Sequence, residues 1–279
     1  MIEIKGNFNK AIVFTDEIED TAKQQVYDLC NQEFLKDSKI RMMPDLHAGK
    51  GCTIGTTMTI TDKIVPNFVG VDLGCGMICT KLDITGAQID FNKVDQVIRR
   101  HIPSGMNVRK KAHSNANSIP FDKIIAPINE GRARVSIGTL GGGNHFIELN
   151  EGTDGSIYLV IHSGSRNPGK QISDHYQGIA VDSLFNQGKK SSITRDKAYI
   201  EGQNMESYLH DVNIAQKYAA LNRKTMSELI INEMDWQVIS EFDTIHNYVD
   251  IDNMILRKGA ISAQTGEIVI IPMNMRDGP

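Results

Sequence analysis

Cysteine, net positive charge and long apolar runs are all scarce in this chain, and each scarcity narrows what it can be. Only four cysteines occur among 279 residues (Cys30, Cys52, Cys75 and Cys79). Their spacing is not that of a disulfide framework, which argues against a small stapled scaffold. No apolar run approaches the roughly 18 residues that a membrane span needs, and Met1-Ile-Glu-Ile-Lys-Gly does not read as a secretory signal. A reducing cytoplasm is therefore the expected compartment, and it leaves the thiols free to bind metal. Lys and Arg total 30 against 34 Asp and Glu, a formal charge of −4. Such a chain has no global basic field, so any polyanion must be met by a local patch.

What is there is an ordinary globular composition, 40% hydrophobic and 23% charged, at a length that can bury a real core. Internal repeats, low-complexity tracts and linkers are not evident. Residues 1–279 are expected to form one α+β domain, with mixed β-sheets around a central cleft and helices flanking them.

Glu17 to Leu35 reads as an amphipathic helix through Ile18, Ala22, Val26, Leu29 and Cys30, with Asp16 and Glu19 spaced as a capping box. Thr53–Ile60 and Ile64–Val71 have the β-branched content of strands, which sets Asp72 just past a strand end. Phe91–Ile102 reads as a short helix. Pro103–Pro120 loses periodicity and predicts an exposed loop or lid with a basic tip of Arg109, Lys110, Lys111 and His113. Ile157–Ile161 is a short strand ending at His162. The clearest helix runs from about Glu201 to Met234, its core stripe formed by Met205, Tyr208, Val212, Ala215, Ala219, Met226 and Ile230. Met254–Arg257 and Glu267–Pro272 read as strands joined by a Gln264-Thr265-Gly266 turn.

Chemistry concentrates in a few glycine-marked places. Asp72 and Cys75 sit three residues apart in Val-Gly-Val-Asp-Leu-Gly-Cys-Gly-Met, where Gly74 and Gly76 permit a sharp turn around an ion. A small core cysteine is the plainer account of the same thiol. Downstream stand His145 after three glycines and Asn144, His162 before Ser163-Gly-Ser-Arg166, and His246 before Asn247-Tyr. One carboxylate, one thiolate and three imidazoles make a ligand set for one or two transition metals, with Mn2+ and Zn2+ both compatible. Ser163, Ser165 and Arg166 suit a phosphate oxyanion beside such an ion. Glu148 supplies a further oxygen, and Asp45 with His47 and Lys50 forms an acid/base grouping.

Taken together these strings resemble the RtcB family of RNA ligases. The resemblance runs in order through MPDLHAGKG (43–51), VGVDLGCGM (69–77), GTLGGGNHFIEL (138–149), IHSGSR (161–166), AQKYAALNR (215–223), HNYV (246–249) and RKGAISAQTGE (257–267). It implies joining of RNA ends bearing a 3'-phosphate or 2',3'-cyclic phosphate to a 5'-hydroxyl, with GTP and Mn2+. It further implies that Cys75 bridges two manganese ions, with His162 and His246 completing one site and Asp72 and His145 the other. Asn144, Glu148, Asn247, Pro272, Met273 and Met275 correspond to a guanine-nucleotide pocket. Arg166 and Lys258 correspond to RNA-phosphate contacts, and Asp45 to a residue acting on the RNA end.

One departure accompanies the resemblance. The family's guanylylated histidine lies in a His-Gly-Ala-Gly-Arg-like string that these residues lack, and His101, His113, His175 and His210 have the wrong context for it. A C-terminally incomplete ligase, inactive in ligation, is the expectation. A metal- and RNA-end-binding module and a metal-dependent phosphoesterase are the alternatives.

Overall fold

The computed structural model describes residues 1–185 and 193–271. The chain opens with β1 (Ile2–Lys5), β2 (Lys10–Val13) and helix α1 (Asp20–Cys30). Then come β3 (Ile40–His47), β4 (Ile54–Thr59), the short β5 (Lys63–Ile64), the single-turn α2 (Pro66–Val69) and β6 (Gly76–Leu82). Helices α3 (Phe91–His101) and α4 (Glu130–Ser136) lead to β7 (Phe146–Glu151), β8 (Ile157–Ser163) and α5 (Arg166–Phe185). The last part holds β9 (Ile200–Glu201), the 33-residue α6 (Gly202–Met234), β10 (Val238–Ile245), β11 (Asn247–Asp250) and β12 (Ile255–Lys258).

The strands build two principal sheets, in the orders β1-β2-β3-β4-β12-β11 and β10-β6-β8-β7, plus the small β5-β9 pair. Only β2 and β3 run parallel among the described pairs; the rest are antiparallel. The architecture is the expected mixed α+β. Helix α6 is its spine. Met205, Tyr208, Val212, Ala215, Ala219, Met226 and Ile230 are all buried along it, as the 3.6-residue spacing predicts. Its C-terminal half joins α3 in covering one face of the four-stranded sheet, where Met226 and Ile230 pack with Ile78, Leu82, Leu159 and Ile161. Burial of a side chain of this size stabilises by about 1.5–3 kcal/mol, so this layer anchors β6 and β8. Its N-terminal half packs with α1, α5 and the six-stranded sheet in the larger core.

Several local expectations are corrected. Helix α1 starts at Asp20 and its N-cap, Glu19, makes no side-chain capping bond. Asp16 instead pairs with the chain's amino terminus, so the capping box is not formed. The strand expected over 64–71 ends at Ile64, because Pro66 begins α2. Proline lacks the N–H that a ladder uses and its fixed φ suits a first helical turn. Asp72 thus follows a helical turn rather than a strand.

The 103–120 segment is tied down rather than free. Arg109 Nη1 donates to the His101 carbonyl at 2.9 Å, and Asn115 Nδ2 donates to Thr225 and Glu228 on α6 at 3.0 and 3.2 Å. Finally, Glu267–Ile271 forms no strand, and Pro272 lies outside the described residues. β12 takes its hydrogen bonds from β11 and β4 instead.

Candidate metal centre

Four chain segments converge where the two principal sheets meet. The 72–75 turn links α2 to β6, His145 immediately precedes β7, and His162 is the penultimate residue of β8. His246 is the single residue between β10 and β11, where the chain leaves one sheet for the other. Backbone hydrogen bonds lock this crossing to the turn. The His246 and Asn247 amides donate to the Cys75 carbonyl at 2.9 and 3.3 Å, and the Gly74 amide donates to the Asn247 carbonyl at 2.7 Å.

The histidine tautomers follow from their backbone partners. His145 Nδ1 lies 2.9 Å from the Leu140 carbonyl and His162 Nδ1 lies 2.9 Å from the Asn144 carbonyl. A carbonyl only accepts, so each Nδ1 carries a proton and each ring turns its Nε2 inward; in His162, which burial keeps neutral, that Nε2 is a bare lone pair. His145 Nε2 then faces an Asp72 carboxylate oxygen at 2.9 Å, and His162 Nε2 faces His246 Nε2 at 3.2 Å. Cys75 Sγ stands 3.2 Å from His162 Nε2 and 3.6 Å from His145 Nε2. Lone pairs facing one another at such distances need a proton or a cation between them. Ligand atoms of one tetrahedral ion, with bonds of about 2.0–2.3 Å, stand roughly 3.3–3.6 Å apart. The donor set and its spacing therefore fit a metal.

These atoms fall into two groups, Cys75/His162/His246 and Asp72/Cys75/His145, each with its ligand atoms within 4.8 Å of one another. Cys75 belongs to both. Burial drives the His162 pKa down to about 4 and that of His246 down to about 3, which keeps both imidazoles neutral and ligating near pH 7. Burial, with the Asp72 carboxylate adding to it, pushes the Cys75 thiol well up. A metal bound there would have to displace its proton. At Asp72 burial works to raise the carboxyl, but the His145 hydrogen bond and charge, Arg166 and the Ser165 amide together hold it below its usual range.

The other Asp72 oxygen accepts from the Ser165 amide at 2.9 Å, which aims Oδ2 at His145. Arg166 follows, the first residue of α5, with a backbone φ of 55° that is unusual for a residue with a side chain. Its guanidinium donates to Thr139 Oγ1 at 3.3 Å and the Gly105 carbonyl at 3.2 Å. It passes directly over Gly141, where a Cβ would stand 1.8 Å from its Nη1. Arg166 lines a cavity of about 300 Å³ with Asp72, Asn144, His145, Arg132 and Asn167. The buried Asn167 Oδ1 has no hydrogen-bond partner among the described residues. Cationic side chains beside a metal ligand group make this cavity suited to a phosphate.

The chain is similar over most of its length to known proteins. The family model described as tRNA-splicing ligase RtcB matches residues 25–130 and 122–278. This chain belongs to the RtcB family. The RNA-splicing ligase RtcB of Escherichia coli K12 is 30% identical over 297 residues, an alignment that spans 92% of this chain and 72% of that protein. RtcB1 of a second Escherichia coli strain gives the same figures, and RtcB2 of that strain is 27% identical, covering 93% of this chain and 67% of the relative.

Of the residues that the RtcB resemblance points to, the fold gathers Asp72, Cys75, His145, His162 and His246 into one cluster and sets Arg166 and Asn144 on the adjoining cavity. Asn247 adjoins the cluster, with Oδ1 accepting from the Gly259 amide at 2.8 Å. Glu148 is exposed on β7 and accepts from Asn150 at 3.1 Å. Asp45 is exposed on β3 and belongs to neither ligand group. Lys258 is buried, its ammonium donating to the Lys50 and Asn67 carbonyls, so a phosphate contact would have to exchange those bonds. Pro272, Met273 and Met275 lie outside the described residues. Sequence reasoning assigned no role to Asn222, Arg223 or Asp243, which fasten the ligand-bearing segments to one another. The string AQKYAALNR was the one available signal for the first two.

Proposed function

We propose that this chain is an RNA ligase that joins 3'-phosphate or 2',3'-cyclic phosphate ends to 5'-hydroxyl ends, using GTP and Mn2+. The observation that carries the reading is the pair of ligand groups sharing Cys75, set beside an arginine-lined cavity in a chain of the RtcB family. In this reading Cys75, His162 and His246 would hold one ion, and Asp72, Cys75 and His145 would hold the other. Ions held there would polarise phosphate oxygens and offset charge developing in phosphoryl transfer. Arg166 orients a phosphate oxygen next to Asp72, its own position held by Thr139 and Gly105. Asn144, Glu148 and Asn247 contact the guanine nucleotide in this reading, a role that the resemblance also gives to Pro272, Met273 and Met275, which lie outside the described residues. Asn247 offers its Nδ2 there, because its Oδ1 is already engaged by Gly259. Asp45 and Lys258 serve the RNA end.

Covalent guanylylation needs a nucleophile, and none of the eight histidines stands in a His-Gly-Ala-Gly-Arg-like string. The test therefore uses both the 279-residue chain and the protein as its host makes it, incubated with labelled GTP and Mn2+ and then with 3'-phosphate and 5'-hydroxyl RNA. Labelled protein and joined RNA from the host form support the reading. No adduct and no joined RNA from either form overturns it, and phosphate release without joining would mark a phosphoesterase instead.

A further inference from the structure

Arg223 has no solvent exposure, and it is the bulkiest of the fully buried side chains in the described residues. Burying a guanidinium is costly unless its donors are satisfied. Four of its five N–H groups are used, and each acceptor touches the metal cluster's framework. Nη1 donates to the Gly74 carbonyl and to the Ser163 carbonyl, both at 2.8 Å. Gly74 directly precedes Cys75, and Ser163 directly follows His162. Nε and Nη2 grip Asp243 side-on at 2.6 and 2.5 Å, and Asp243 lies on β10 three residues before His246. One planar group therefore spans three ligand-bearing segments that are distant in sequence.

Its neighbour does the same for the fourth. Asn222 is also fully buried. Its Oδ1 accepts from the Gly138 and Thr139 amides at 2.8 and 3.1 Å. Its Nδ2 donates to the Thr139 carbonyl, Ser163 Oγ and the Gly164 carbonyl at 3.1, 3.1 and 3.3 Å. Thr139 leads into Leu140, whose carbonyl receives both His145 Nδ1–H and the Ser163 hydroxyl. Asn222 thus ties the segment that aims His145 to the segment that carries His162 and Ser165.

We infer that Asn222 and Arg223 are positioning residues that set the spacing of the metal ligands from the rigid helix α6, without touching metal or substrate. Arg223 governs Cys75, His162 and His246, and Asn222 governs His145 and, through Gly164 and Ser165, Asp72. Helix α6 suits the role because its 33 residues are anchored on both cores at once. A merely structural arginine would need its charge satisfied but would not need all its acceptors to flank ligands. This inference rests on the metal reading of the site.

The test compares Arg223→Lys, Asp243→Asn and Asn222→Asp with the parent chain and with Cys75→Ala. Co2+ serves as a spectroscopic probe through its thiolate charge-transfer and d–d bands, Mn2+ affinity is titrated separately, and circular dichroism and thermal melting report folding. Arg223→Lys keeps the charge but cannot span Asp243 and two carbonyls together. It is expected to retain helical content while weakening metal affinity about 10- to 100-fold, as loss of an outer partner does, with a shifted thiolate band. Asn222→Asp keeps the acceptor for Gly138 and Thr139 and loses the donor. It is expected to weaken the second ion while leaving the Cys75-thiolate signature of the first.

Unchanged affinity and spectra in Arg223→Lys and Asn222→Asp, alongside metal loss in Cys75→Ala, overturn the positioning role and leave the metal reading standing. Full metal retention in Cys75→Ala overturns the metal reading itself. If Arg223→Lys does not fold, Asp243→Asn decides. It keeps the two carbonyl bonds and frees only the β10 anchor, so its spectrum must change at the His246 site, and an unchanged spectrum rejects the role.

Discussion

The Nε2 atoms of His162 and His246 stand 3.2 Å apart, and Cys75 Sγ lies 3.2 Å from the first of them. Because His162 Nδ1–H is committed to the Asn144 carbonyl, its Nε2 can only offer a lone pair. Nothing but a proton or a metal ion makes this approach favourable, and burial holds the His162 pKa at about 4 and the His246 pKa at about 3. At neutral pH the two rings are poised for a cation.

Sharing of Cys75 between the two groups predicts that Cys75→Ala loses both ions together. Metal content after gel filtration in Mn2+, read by elemental analysis, should fall from two per chain to a residual level. A variant that still binds one ion stoichiometrically would mean that the thiolate does not bridge.

Asp72, by contrast, belongs to one group only. Asp72→Asn keeps the shape and removes the charge, so one ion should be lost and the Cys75/His162/His246 ion kept. Loss of both in the titration would show that the two sites are not separable in this way.

Gly141 has a φ of 90°, and a Cβ there would meet Arg166 Nη1 at 1.8 Å. Gly141→Ala should cost about 1–2 kcal/mol for the backbone alone and push the guanidinium from its place. Binding of 3'-phosphate RNA is expected to weaken while metal stoichiometry stays unchanged. Equal RNA affinity, measured by fluorescence anisotropy, would count against the phosphate role of Arg166.

Stability of the metal-free protein should fall as the pH drops below about 6.5. The unfolded chain protonates its histidines near that value, whereas His162 and His246 stay neutral in the fold down to about 4 and 3. The unfolded state then binds more protons, so stability rises with pH through this window. At pH 5 each buried imidazole accounts for about 2 kcal/mol of lost stability. Denaturant midpoints should drop between pH 7 and pH 5, and His162→Gln with His246→Gln should flatten that slope. A slope unchanged in the double variant would assign the effect to other groups.

How much of this was legible in sequence depends on the range of the interactions involved. Helix α6 was readable because its buried stripe repeats at the helix's own period, and β8 because Ile157–Ile161 is buried along its length. β7 and β10 were not readable. Their burial is patchy, and most of β10 is exposed, so they show no alternation and are strands because β8 and β6 pair with them. The strand expected over Glu267–Pro272 failed for the converse reason, since local β-propensity supplies no partner for a ladder.

The candidate ligands Asp72, Cys75, His145 and His162 stood out by residue type and glycine context, His246 only as part of the whole set, and the family by the order of its strings. That much is local chemistry, written in the chain. Which atoms face each other was decided only in three dimensions, by β10 passing directly into β11 at His246 and by carbonyls that set the tautomers of His145 and His162. The use of Arg223 and Asp243 was decided there too. A buried ion pair depends on which segments fold over it, and no spacing in the sequence records that.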